Sequence, residues 1–106
     1  MVRVLVATSD HTQRQAMAVA LCGAGMETVW AGSGRDAIAE VASGHNGIDA
    51  VIVDPGLVDL GIDEVTAVIR AIDRDLAVIV WREPAAAVVN EVVALLEPDL
   101  DPSGHS

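Results

Sequence analysis

Ile48-Asp49-Ala50-Val51-Ile52-Val53-Asp54-Pro55-Gly56 is a short apolar run that stops abruptly on a carboxylate and a turn. It is too short for a buried helix and is continuously apolar at its centre, so it reads as a strand covered on both faces, as in a parallel sheet. Val2 to Ala7, Glu27 to Trp30 and Leu76 to Trp81 read the same way. Helical periods fill the gaps. His11 to Ala24 places Ala16, Met17, Ala20, Leu21 and Ala24 on one face, with Ser9 or Asp10 as cap and Gly25 as stop. Ser33 and Asp36 form a capping pair before Ala37, Ile38, Val41 and Ala42. Asp63 is placed to cap a helix with the stripe Val65, Val68, Ile69 and Ile72. Pro84 opens and Pro98 stops a last helix whose Val88, Val89, Val92, Val93, Leu95 and Leu96 cover more than half its circumference, a width that calls for burial on two sides. Strand and helix alternate four times. The expected fold is therefore α/β, a doubly wound parallel sheet of four βα units, with one domain over 1–98 and an acidic flexible tail over 99–106.

Composition agrees with a single packed domain. The 106 residues are 52% hydrophobic, with a mean hydropathy of +0.44, enough to bury roughly two-thirds of the unfolded surface. Aromatic content is confined to Trp30 and Trp81, which excludes a stacking platform for single-stranded nucleic acid. Six basic residues, all Arg, stand against sixteen acidic ones, a net charge of −10. That charge repels phosphate backbones and anionic lipid, so neither nucleic acid nor a membrane surface is an expected partner. No apolar run approaches the roughly 18 residues of a membrane span, and Met1-Val2-Arg3-Val4 leads straight into a strand without a signal-peptide pattern. Cys22 is the sole cysteine and fits a reducing, cytoplasmic setting, as a small apolar residue beside the buried face of the first helix. His11, His45 and His105 lack ligand spacing, so no metal site is expected from them.

In open α/β sheets chemistry gathers beyond the carboxyl ends of the strands. The residues there are Thr8-Ser9-Asp10, Ala31-Gly32-Ser33-Gly34, Asp54-Pro55-Gly56 and Trp81-Arg82-Glu83. Asp54 is either a loop-opening residue that bonds its own backbone or a functional carboxylate carried to the rim of a central strand. The Gly32-Ser33-Gly34 turn offers amide hydrogens to an anion at a helix start, but lacks a dinucleotide fingerprint.

Arg3-Val4-Leu5-Val6, a helix from about Asp10 with Arg14 inside it, Ala24-Gly25-Met26-Glu27, Gly34, Ala37 and Ile48 to Asp54 together resemble the receiver domain of bacterial response regulators. The likeness runs without gaps from Met1 to about Arg82. It implies a phosphoacceptor at Asp54 and an acidic, Mg²⁺-holding pair at Thr8 and Ser9, where this chain has hydroxyls; Asp10 lies one place too late. It also implies a lysine that a chain without Lys does not have, and a switch hydroxyl at the position of Arg82. The family's loop Pro and Gly fall on Val58 and Ile62. Relative to a five-stranded receiver the chain is one βα unit short.

These departures give the expectation of a degenerate receiver: not an enzyme, without metal or cofactor, acting in signal transduction through a protein partner. The alternatives are a working single-domain receiver phosphorylated on Asp54, and a small-ligand binder or enzyme using the same rim. Arg82 is open to two readings, a guanidinium paired with Asp54 or a solvated loop charge. The shortened sheet would expose its fourth strand, and with the wide face of the last helix this predicts a homodimer through Val78, Val80, Trp81, Val88, Val89, Val92 and Leu96.

Overall fold

The computed structural model describes residues 2–43, 47–57, 59–82 and 84–96. The expected acidic tail, His45 and His105 lie outside the described residues. Elements alternate as β1 (Arg3–Ala7), α1 (His11–Gly23), β2 (Glu27–Ala31), α2 (Gly34–Ser43), β3 (Ala50–Val53), α3 (Ile62–Ile72), β4 (Ala77–Val80) and α4 (Ala85–Leu96). The sheet is wholly parallel in the order β2-β1-β3-β4, the doubly wound arrangement that the alternation predicted.

Strand alternation divides the core. Val4, Val6, Ala50, Ile52 and Ile79 pack with Met17 and Leu21 of α1 and with Val88, Val89 and Val92 of α4. Leu5, Ala7, Val51 and Val53 pack with Ala37 of α2 and Val65 and Ile69 of α3. Each large side chain fully buried in these layers contributes about 1.5–3 kcal/mol of transfer free energy. The last helix meets both the sheet and α1, the two-sided burial its width required.

Local signals set most helix ends. The Asp10 carboxylate accepts from the amides of Thr12 and Gln13 at 2.8 and 3.2 Å, and Gly25, at φ 76°, turns the chain out of α1. Ser33 Oγ accepts from the Asp36 amide at 3.1 Å. Other expectations are corrected. The buried stripe of α1 is Met17 and Leu21, so Ala16, Ala24 and Cys22 face solvent. Cys22 is therefore an exposed thiol rather than a core residue. Gly61, not Asp63, precedes α3, and Asp63 sits with Glu64 in its first turn, where carboxylates oppose the helix dipole favourably. Val68 and Ile72 are exposed because only the row through Val65 and Ile69 reaches the core.

Candidate functional site

Parallel pairing continues one residue past the strands. The Thr8 amide donates to the Ala31 carbonyl, Asp54 to Ala7 and Trp81 to Val53, at 3.0, 2.9 and 2.8 Å. Thr8, Asp54 and Trp81 thus stand level across the rim, in the period-two phase of Val6, Ile52 and Ile79, on the α1 side of the sheet. All three are buried, and Asp54 is 6% exposed. A carboxylate so placed needs hydrogen-bond donors.

It has them. Thr8 Oγ1 donates to Asp54 Oδ2 at 2.9 Å, and the Gly56 amide donates to Oδ1 at 2.8 Å. The latter is the loop-opening bond to its own backbone, one of the two readings that the sequence left open for Asp54. The Gln13 amide is oriented by its neighbours: its nitrogen donates to Asp54 Oδ2 at 2.8 Å and to Thr8 Oγ1 at 3.3 Å, and its oxygen accepts from Trp81 Nε1 at 3.1 Å. Thr8 Oγ1 also accepts from the Asp10 amide at 3.1 Å. Among the described residues every donor to Asp54 is neutral, and these side chains with Val6, Met17 and Ile52 leave no room for a water molecule.

Sequence reasoning missed Gln13, although a signal for it exists. Gln13 precedes Met17 and Leu21 at four-residue intervals, a polar side chain at the head of a buried stripe.

Arg82 does not pair with Asp54. β3 and β4 are neighbours as expected, but the guanidinium turns outward to Glu91 of α4 at 2.5 Å, with 53% of the Arg82 side chain exposed. Its charge remains hydrated there, whereas reaching Asp54 would mean burial beside an already satisfied carboxylate. Ser9 is exposed and contributes nothing to the buried cluster. Asp10 spends its carboxylate on the α1 cap.

The residues at this rim do not fit a divalent cation. Such an ion needs several oxygen donors with more charge than one carboxylate supplies. Thr8 commits its proton to Asp54 and its lone pairs to two amides, and Asp10 is committed to the helix. Among the described residues, no three His, Cys, Asp or Glu side chains gather as metal ligands.

The anion-accepting helix start at Gly34 is filled from within. Asp59, which follows β3, accepts from the amides of Gly34 and Arg35 at 3.0 Å each. Those two amides hold its carboxyl below the ordinary 3.8. Gly34 is needed for this approach, since a Cβ there would lie 2.9 Å from Val65 Cγ2 and 3.1 Å from Leu60 Cβ. Within the expected interface, Trp81, Val88, Val89 and Val92 are buried in the chain's own core, Val78 and Leu96 are half-buried and Val80 is exposed.

No described helix is long and apolar enough to cross a membrane. No protein-family model matches the chain, and no curated protein sequence does. Solved structures match it closely in shape. A response regulator receiver domain protein from Clostridium thermocellum superposes with a TM-score of 0.82 at 20% identity, over 93% of this chain and 97% of that one. A response regulator receiver protein from Sinorhizobium medicae gives 0.78 at 21%, over 90% and 94%. The response regulator TrrA of Thermotoga maritima, solved in complex with Mg²⁺ and a beryllofluoride group, gives 0.78 at 21%, over 91% and 100%. The four-stranded sheet, its order and these superpositions together establish that the chain has the CheY-like fold of the response regulator receiver domain.

Proposed function

We propose that this chain is a receiver-like signalling module that acts by protein–protein contact in a cytoplasmic pathway and does not carry out Mg²⁺-dependent phosphoryl transfer. One observation carries the reading: the carboxylate at the phosphoacceptor position is buried and satisfied by the Thr8 hydroxyl, the Gln13 amide and the Gly56 backbone. Receiver chemistry asks that carboxylate to share a cation with neighbouring acids and then to attack phosphorus. Here its lone pairs are engaged by groups that bring no positive charge. No lysine in the sequence can steady a transferred phosphate, and Arg82 is engaged with Glu91.

The test is incubation of the protein with Mg²⁺ and acetyl phosphate, followed by intact-mass measurement. The expected mass is unchanged, and beryllofluoride with Mg²⁺ produces no shift in the tryptophan emission. A hydroxylamine-labile gain of one phosphoryl group on the Asp54 peptide would instead establish a working receiver.

The partner surface we favour is the β4 edge, used for pairing with a second copy. Among the described strands β4 is terminal in the sheet, its Val80 is 45% exposed, and Leu95 of α4 is 53% exposed. Edges of this kind invite another strand. The acidic surface favours a protein partner over nucleic acid or anionic lipid.

A further inference from the structure

We propose that Gln13 is a built-in stopper that keeps the Asp54 carboxylate closed to solution, and that the Trp81 indole holds it in place. This rests on the reading of the rim as inert and adds the element that seals it. Missing acidic partners weaken the hold on a cation, but they do not make a carboxylate inaccessible. Gln13 does. Its side chain leaves the first turn of α1, at the head of the stripe through Met17 and Leu21, and reaches over the strand ends.

The amide is matched at both ends. The nitrogen gives its protons to Asp54 and Thr8, and the oxygen receives the indole proton of Trp81. Reversing it would set oxygen against carboxylate and nitrogen against an N–H, so a single orientation satisfies the cluster. Withdrawing it strands the indole N–H of a residue only 8% exposed and takes a donor from a buried charge, both unfavourable. The closure is nonetheless a removable one. Gln13 and Trp81 also wall an open groove of about 410 Å³ bounded by Thr12, Ala16, Pro84 and Ala85, which gives the amide a direction in which to swing away. Gln13 is thus a positioning residue, acting on Asp54 and held through Trp81.

Carboxyl footprinting of the intact protein tests this. The probe is glycine ethyl ester with a water-soluble carbodiimide, read by peptide mass spectrometry, with exposed Asp63 as the internal standard. In the wild type Asp54 labels far more slowly than Asp63. Gln13→Ala is expected to raise the Asp54 to Asp63 ratio about tenfold, the shift that one hydrogen bond to a charged group controls. Trp81→Phe keeps a buried ring and removes only the indole N–H, and is expected to raise the ratio about threefold. Wild-type ratios in both variants would overturn the proposal. If Gln13→Ala melts, shown by lost amide protection at Leu5, Trp81→Phe alone decides: a raised ratio supports the stopper and a wild-type ratio overturns it. Footprinting reports access to the carboxylate and phosphoryl uptake reports its chemistry. A wild type that takes up phosphate therefore defeats the inert reading, whereas an inert wild type with unmoved ratios in the variants defeats only the stopper.

Discussion

Thr8 Oγ1 and Asp54 Oδ2 stand 2.9 Å apart across 46 residues of sequence. The contact follows from register: Ala7 pairs with Val53, so the next residue of each strand meets at the rim. A hydroxyl at that level donates a proton to the carboxylate where an acid would repel it. The carboxylate is thereby satisfied at the rim by neutral donors, the Thr8 hydroxyl among them.

Replacing Thr8 with Val preserves shape and removes both roles of the hydroxyl. Asp54 loses a donor and the Asp10 amide loses its acceptor. Urea denaturation should show a loss of about 1–3 kcal/mol, the usual result of leaving buried polar groups unmatched. Thr8→Asp should be worse at neutral pH and should recover as the pH falls below the carboxylate range, because protonating one acid removes the repulsion. Equal stability of all three proteins at pH 7 would show that the rim is not the buried, dry network described above.

Asp59 governs a different pH window. Its folded pKa lies below 3.8 because the Gly34 and Arg35 amides stabilise the charged form. A carboxylate with a depressed folded pKa contributes stability that is full above its unfolded value and is lost as the pH falls through the folded one. Asp59→Asn should therefore be less stable than wild type at pH 7, with the gap closing under acid below 3.8. Paired acid and neutral thermal melts measure it, and a gap constant with pH would place the carboxylate away from those amides.

Gly34→Ala tests the packing beneath the same contact. A methyl group there must displace Val65 Cγ2 and Leu60 Cβ, and overpacking of this kind costs about 1–3 kcal/mol, partly offset by the better helix propensity of Ala. The expected net change is a lower midpoint in urea with an unchanged slope.

The layers of this fold were legible because strand and helix periods differ so plainly. Ala50 to Val53 has no polar face, and Met17 and Leu21 recur at helical spacing. Rim geometry was only half legible. Asp54 and Thr8 could be placed at strand ends, but parallel register, which brings them level, is a tertiary property that neither segment contains. The Arg82 pairing failed for a related reason. Neighbouring strands bring backbones together, yet a long side chain on the last residues of an edge strand can turn outward, and the cheaper hydrated partner Glu91 was within reach. Asp59 was missed because its role depends on a loop crossing to the start of α2, 25 residues earlier in the chain.

That outward pairing makes its own prediction. Arg82 is mostly solvated, so Arg82→Ala should change stability by less than about 1 kcal/mol, the range of exposed ion pairs. It should also leave the Trp81 indole N–H resonance in place, since that proton is bound to Gln13. A large displacement of the resonance would return Arg82 to the rim.

Self-association through the β4 edge, as proposed, would carry a salt dependence. Each copy carries a net charge of −10, so two copies repel at long range, and the repulsion is screened over about 10 Å at 0.1 M salt. The attraction would come from the outer edge of β4 and from exposed apolar side chains such as Val80 and Leu95. Sedimentation velocity should then show a dimer that tightens as salt rises from low to moderate concentration. Val80→Lys puts a charge on the edge, a common natural guard against strand pairing, and should weaken association at least about tenfold, since a desolvated charge opposes pairing by more than about 1.4 kcal/mol. Val19→Lys, on α1 at a position 74% exposed, should not weaken it. A protein that remains monomeric at millimolar concentration in both salts would remove the β4 edge as a self-pairing surface, and a dimer sensitive to Val19 in place of Val80 would move the interface to the face of α1.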